Sequence, residues 1–204
     1  MNPIATSKNP DIAPILAAMR KRFEQDGRCL LVLDGDCGAG KTTLADEIAP
    51  LFQAAVIRMD SFFLPFDLRT RERLQEPGGN IHYERFVSDV LVHLVQKCDF
   101  AYRHYDCHND RFCLYSAPFS PYVVIEGSYS HHPAFLDAYD ALHALRVWVS
   151  VTEEEQARRL KARNPELFPR FAAEWIPLEK AYQLAYHGKS KAEIRVESRD
   201  WHVG

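Results

Sequence analysis

Residues Gly35-Asp36-Cys37-Gly38-Ala39-Gly40-Lys41-Thr42 keep the spacing G-x-x-x-x-G-K-[ST], and Thr43 follows directly. Each fixed position has a chemical reason. Glycines let the backbone wrap an anion without Cβ clashes, and consecutive N–H groups at the start of a helix aim at its oxygens. A lysine in the seventh place bridges the β- and γ-phosphates of a nucleotide, and the hydroxyl of Thr42 is a ligand for Mg²⁺. The chemistry expected of Gly35 through Thr43 is therefore the binding of a nucleotide phosphate.

What is done with that phosphate depends on acids and arginines elsewhere. Asp60 directly follows "AAVIRM" (54–59), at the carboxyl edge of an expected strand and across a cleft from Lys41. A carboxylate there can accept the proton of an attacking hydroxyl. Glu126 ends "YVVIE" and is expected near the metal, orienting a metal-bound water or holding the ion through one. For either acid the plainer reading is a strand-end cap or a pairing with arginine. "QARRLKARNPELFPRF" carries Arg158, Arg159, Arg163 and Arg170. The helical repeat puts Arg159 and Arg163 on one face, from which a closing lid can bring guanidinium groups onto the equatorial oxygens of a phosphoryl-transfer transition state. A solvated basic face paired with Glu153 to Glu155 accounts for any single one of them equally well.

Such groups need strands that end along one edge. "CLLVLDG" (29–35) is continuously apolar, as expected of a strand buried on both faces, and "TTLADEIAPLF" after it has a helical pattern. Further strands are expected at 54–59, 122–127, 145–151 and 191–198, with helices at 84–96 and 153–164. Strands separated by helices imply crossover connections, hence an α/β fold: a mostly parallel five-stranded sheet flanked by helices, with ligands at the carboxyl ends of the strands. The segments 61–83 and 101–121 are the least regular and are expected to be substrate loops. Residues 1–204 are read as a single domain, with 1–28 a helical extension capped near Asp11.

Composition narrows the class. The hydrophobic fraction of 47% and charged fraction of 26% are those of a globular chain. With 25 Lys and Arg against 28 Asp and Glu, no global positive field recruits nucleic acid or an anionic membrane, so phosphate binding must be local. Five cysteines, an odd number, favour reduced thiols and a cytoplasmic setting. Cys107 and Cys113, with His104 and His108 nearby, lack the paired short spacings of a zinc site and read as core and loop residues. "IAPILAAM" is too short to span a bilayer and lacks a signal-peptide pattern. Among the aromatic residues of the middle third, Phe62 and Tyr83 are candidates to stack an acceptor, although most such rings belong to a core. His131 and His132 read as loop residues.

Taken together, "DGDCGAGKTTLADEIA", "MDSFFLP", "YERF", "YRHYDCH", "VVIEGSY" and "RRLKARN" resemble, in order, the P-loop small-molecule kinases of the uridine kinase, phosphoribulokinase and bacterial pantothenate kinase branch. The resemblance covers most of the chain from residue 29 to about 198. It implies a three-layer P-loop NTPase fold with an arginine-containing lid, and ATP- and Mg²⁺-dependent phosphorylation of a hydroxyl on a small metabolite such as a nucleoside. It further implies Asp60 as general base, Thr42 and Glu126 around Mg²⁺, Arg159 and Arg163 in the lid, Tyr105 and Asp106 near the acceptor, and His82, Tyr83 and Arg85 on the substrate side. Where uridine kinases show an Asn-x-Asp-His-Pro pattern this chain has "GGNIHYERF", so the nucleoside pocket does not carry over.

Two other activities fit the phosphate loop. A nucleoside monophosphate kinase would use the arginines at 58, 69, 71, 73, 85 and 103 to hold an acceptor phosphate. A regulatory ATPase would need a water-positioning residue and a switch segment, and neither is evident. The partner expected is a small-molecule acceptor, with neither nucleic acid nor membrane involved; a homo-oligomer is compatible with the sequence.

Overall fold

The computed structural model describes residues 12–198. In chain order it comprises α1 (Ala13–Asp26), β1 (Cys29–Gly35), α2 (Lys41–Phe52), β2 (Ala55–Arg58) and α3 (Arg71–Gln75). Next, α4 (Tyr83–Phe86) runs through a π-helical turn (Val87–Leu91) into α5 (Val92–Gln96), followed by β3 (Phe100–Asp106), β4 (Arg111–Ala117) and β5 (Tyr122–Glu126). Then come α6 (Leu136–Ala141), β6 (Leu145–Ser150) and α7 (Glu153–Arg163). Finally, α8 (Phe168–Arg170) leads through a second π-helical turn (Phe171–Trp175) into α9 (Ile176–Tyr186), α10 (Gly188–Lys191) and β7 (Ile194–Glu197).

Five strands form one parallel sheet in the order β2-β5-β1-β6-β7. The unbroken apolar run of β1 is explained by burial on both faces. Leu30 and Val32 point into a core shared with Phe86, Val90 and Tyr139, while Leu31 and Leu33 point into another shared with Ile15, Met19, Leu44 and Ile48. Helices therefore cover both sides, α1 and α2 on one and α4 to α6 with α9 on the other, which makes three layers. The expected cap at Asp11 lies outside the described residues. Among the described residues no helix is long and apolar enough to cross a membrane.

Segment 101–121 departs from the expectation of an irregular loop. Most of it is an antiparallel hairpin, β3 paired with β4 from Phe100↔Ala117 to Asp106↔Arg111, standing apart from the main sheet. Its turn is closed by the Asp106 carboxylate, which accepts from the N–H groups of His108 (3.0 Å) and Asn109 (3.3 Å) and from Asn109 Nδ2 (2.7 Å).

Candidate active site

Gly35 lies where β1 meets β6. A Cβ on this residue would stand 1.9 Å from the Val149 carbonyl oxygen, at a φ of +146°, so only glycine lets the loop leave the strand here. Asp36 fastens the next step through its N–H to Val149 O (3.1 Å) and its carboxylate, which accepts from Val151 N–H (3.1 Å). Helix α7 holds the outside of the loop: Gln156 Nε2 donates to Cys37 O (2.9 Å) and Arg159 Nη1 to Gly38 O (3.3 Å). Lys41, buried, donates to the carbonyls of Gly35 (2.8 Å) and Asp36 (2.9 Å) and to Ser128 Oγ (3.2 Å). Burial pushes the Cys37 thiol up, which keeps it protonated and unreactive.

The acids come together through a close backbone approach. A Cβ on Gly127, whose φ is +136°, would fall 2.7 Å from Met59 Cβ. The end of β5 and the turn after β2 therefore touch, which brings Glu126, Asp60 and Lys41 within electrostatic reach of one another. Glu126 accepts from Thr42 Oγ1 (3.1 Å) through one oxygen and from Arg58 Nη1 (2.9 Å) through the other, while Arg58 also reaches Asp46 (2.7 Å). Burial, then the like charge of Asp60, raises the Glu126 carboxyl above its ordinary value, against the pull of Arg58 and Lys41. Asp60 is exposed but so closely surrounded that lost hydration raises its pKa, with Lys41, Arg163, Arg58 and His104 opposing in that order. Thr42 and Glu126 make a hard-oxygen pair of the kind that Mg²⁺ takes when nucleotide and water complete its shell. Among the described residues there is no cluster of three or more His, Cys, Asp or Glu able to hold a metal by itself.

On α7 the two arginines of the shared face have different surroundings. Arg159 is buried, paired with Glu155 (2.6 Å) and donating to Ser198 Oγ (2.7 Å) as well as to Gly38 O. It braces the phosphate loop from behind. Arg163 is exposed, and its charge acts on Asp60. Arg158 pairs with Glu155 (2.6 Å) and Arg170 with Glu174 (2.9 Å).

The expected acceptor residues are placed as follows. Phe62 is a correction: its ring is fully buried against Phe86 (4.9 Å) and Tyr102 (5.5 Å), in the core and not on the cleft wall. Burial of a large ring outweighs any surface position here. Arg85, also buried, donates to the carbonyls of Ser61, Phe63 and Arg103 and clamps the turn after β2 to β3; burial lowers its pKa to about 10. His82 accepts from Arg85 N–H (3.2 Å) and so caps α4, and Tyr83 stacks on His132 with ring centres 4.6 Å apart. Tyr105 donates to Asp110 (2.5 Å) and accepts from Phe66 N–H (3.3 Å). Asp106 closes the hairpin turn. These groups frame the loops beside Asp60 and hold them in place, whereas His104, joined to Ser61 Oγ at 2.9 Å, is the hairpin side chain whose charge bears on Asp60.

No protein-family model matches the chain, and no curated protein matches it in sequence. Solved structures do match. A protein named as a possible uridine kinase, from Bacillus stearothermophilus, superposes with a TM-score of 0.61 at 16% identity, over 88% of this chain and 99% of its own. A protein provisionally named a fructose transport system kinase, from Silicibacter sp. TM1040, gives 0.67 at 20% identity, over 90% and 98%. The fold is that of the P-loop kinases.

Within that P-loop kinase fold, several site residues have partners that the sequence does not reveal. Asp34, buried at the end of β1, accepts from the N–H groups of Gly35 (2.7 Å), Tyr129 (3.1 Å) and His131 (2.9 Å) and from Tyr182 Oη (3.0 Å). It ties β1, the segment after β5 and α9 into one unit beneath the P-loop. Ser128 and Glu179 meet the loop from the same side. The partners of Asp34 and Glu179 are as much as 148 and 142 residues away, so no local pattern announces them.

Proposed function

We propose that the protein transfers the γ-phosphoryl group of ATP to a hydroxyl group of a small metabolite, a nucleoside or related compound. The observation that carries this reading is the grouping of Asp60, Glu126 and Lys41, in which lost hydration raises each carboxyl and the lysine acts on both. Asp60 takes the proton of the attacking hydroxyl; a raised pKa makes it a better base near neutral pH than an ordinary aspartate. Lys41 leaves the loop carbonyls to neutralise the phosphate chain, and Arg163 approaches the transferring group from the lid. Thr42 and Glu126 would hold Mg²⁺, which supplies charge neutralisation at the phosphates. The names of the two solved neighbours, a uridine and a fructose transport kinase, support a small hydroxylic acceptor.

An unphosphorylated acceptor is favoured over a nucleoside monophosphate because the arginines available for an acceptor phosphate are largely committed. Arg58 pairs with Asp46 and Glu126, Arg73 with Glu84 and Arg103 with Asp89, while Arg69 and Arg85 donate to main-chain carbonyls.

The test uses purified protein with ATP, Mg²⁺ and a panel of nucleosides, pantothenate-like compounds and sugars. Transfer to at least one unphosphorylated hydroxyl is expected. Asp60→Asn should lower kcat by roughly 10²–10⁴-fold while leaving nucleotide affinity nearly unchanged. Hydrolysis without any acceptor, indifferent to Asp60→Asn, would sink the proposal.

A further inference from the structure

The carboxylate of Glu179, on α9, is seated in the phosphate loop. Its Oε2 accepts from Cys37 N–H at 2.9 Å and its Oε1 from Ser128 Oγ at 2.5 Å. Lys41 acts on it electrostatically, and Lys41 Nζ donates to the same Ser128 hydroxyl at 3.2 Å. A loop N–H, a hydroxyl and an ammonium are the donors that a phosphoryl oxygen would use. We propose that Glu179 is a resident stand-in for the terminal phosphoryl group of the nucleotide: it leaves the loop when a nucleoside triphosphate binds, and returns once that group has been transferred. This rests on the phosphotransfer reading above, and it adds Ser128 as a ligand of the transferring group.

The position along the phosphate chain follows from the elements. Cys37 precedes the residues Gly40 to Thr43 that open α2, where the inner phosphates are held. Ser128 comes two residues after Glu126, beyond the end of β5, and β5 neighbours the strand that leads into Asp60. Glu179 therefore meets the loop at its acceptor end. A diphosphate leaves that place to the carboxylate, whereas a triphosphate must compete with it. A ligand that has to displace a bound group is weakened by the stability of that contact, and removing the contact restores the affinity.

The experiment is calorimetric titration of the full chain with a non-hydrolysable ATP analogue and with ADP, each with Mg²⁺. Glu179→Gln should bind the ATP analogue roughly tenfold more tightly or better, about the worth of one hydrogen bond to a charged group, with a clearly smaller gain for ADP. Adding Ser128→Ala to that variant should remove part of the gain for the analogue and none for ADP. Should Glu179→Gln fail to unfold cooperatively on heating, Glu179→Asp keeps the charge on a side chain one methylene shorter and should show a partial gain. Unchanged or weaker analogue binding, or equal gains for analogue and ADP, would overturn the role of Glu179 and leave the phosphotransfer reading standing. If wild type and variants alike bind neither nucleotide, the phosphotransfer reading falls, and this inference with it.

Discussion

Tyr182→Phe removes one oxygen from the buried junction beneath the P-loop. The phenol donates to Asp34 at 3.0 Å, and burial together with the adjacent carboxylate holds its pKa well above the ordinary value, so it stays protonated and remains the donor. The ring itself is kept by the substitution, so its packing against Tyr129 (4.9 Å) and Tyr186 (5.5 Å) survives. A hydrogen bond to a buried charged group contributes about 1.5–3 kcal/mol. Asp34 retains the N–H groups of Gly35, Tyr129 and His131, which places the expected loss toward the lower end, about 1.5–2 kcal/mol. For a chain of this length that is a fall in Tm of roughly 3–8 °C. Urea unfolding followed by fluorescence and far-ultraviolet circular dichroism measures the change, and the slope m should be unaltered. The companion variant Asp34→Asn separates this bond from general loosening: in that background Tyr182→Phe should cost about 1 kcal/mol less than in the wild type. A loss below about 0.5 kcal/mol, or the same loss in both backgrounds, would refute the idea that this bond fastens α9 to the phosphate-loop strand.

Further expectations concern the loop and the pH response. Gly35→Ala places a methyl group 1.9 Å from the Val149 carbonyl at a φ of +146°, and should destabilise the fold by about 3 kcal/mol or more and abolish any thermal shift by nucleotide; a variant with wild-type Tm would contradict the geometry. His132 is held neutral by burial, its pKa lowered from 6.5 to about 4. Between those values the unfolded chain binds the proton and the folded chain does not, so stability should fall as pH drops from 6.5 toward about 4, by up to about 3 kcal/mol. Unfolding free energies across that range, with His132→Asn expected to flatten the slope, test the assignment. Cys29, pushed up to about 12 by burial, should resist alkylation at neutral pH in the native state and react only on unfolding.

Much of the fold can be read locally. An apolar run buried on both faces identifies β1, and the alternation of strand and helix patterns leads to the parallel sheet, because each signal is carried by adjacent residues. The hairpin escapes such a reading since β4 is exposed along nearly its whole length, with Phe112, Leu114 and Tyr115 on the surface, so no buried face imposes an alternating pattern. The helical stretch from α8 to α9 is obscured by Pro169 and Pro177 and by the π-helical turn between its parts.

The site divides along the same physical line. The glycine-rich loop Gly35 to Thr43, and acids at the ends of two strands, follow from the order of residues, because a loop between a strand and a helix presents its own amides and a strand end presents whatever follows it. Only packing decides that Phe62 fills the core, that Arg159 braces the loop while the charge of exposed Arg163 acts on Asp60, and that Glu179 reaches Cys37 from 142 residues away. Spacing sets which side chains can share a face, but the partner each head group finds depends on elements brought together from distant parts of the chain, and that is a property of the tertiary structure alone.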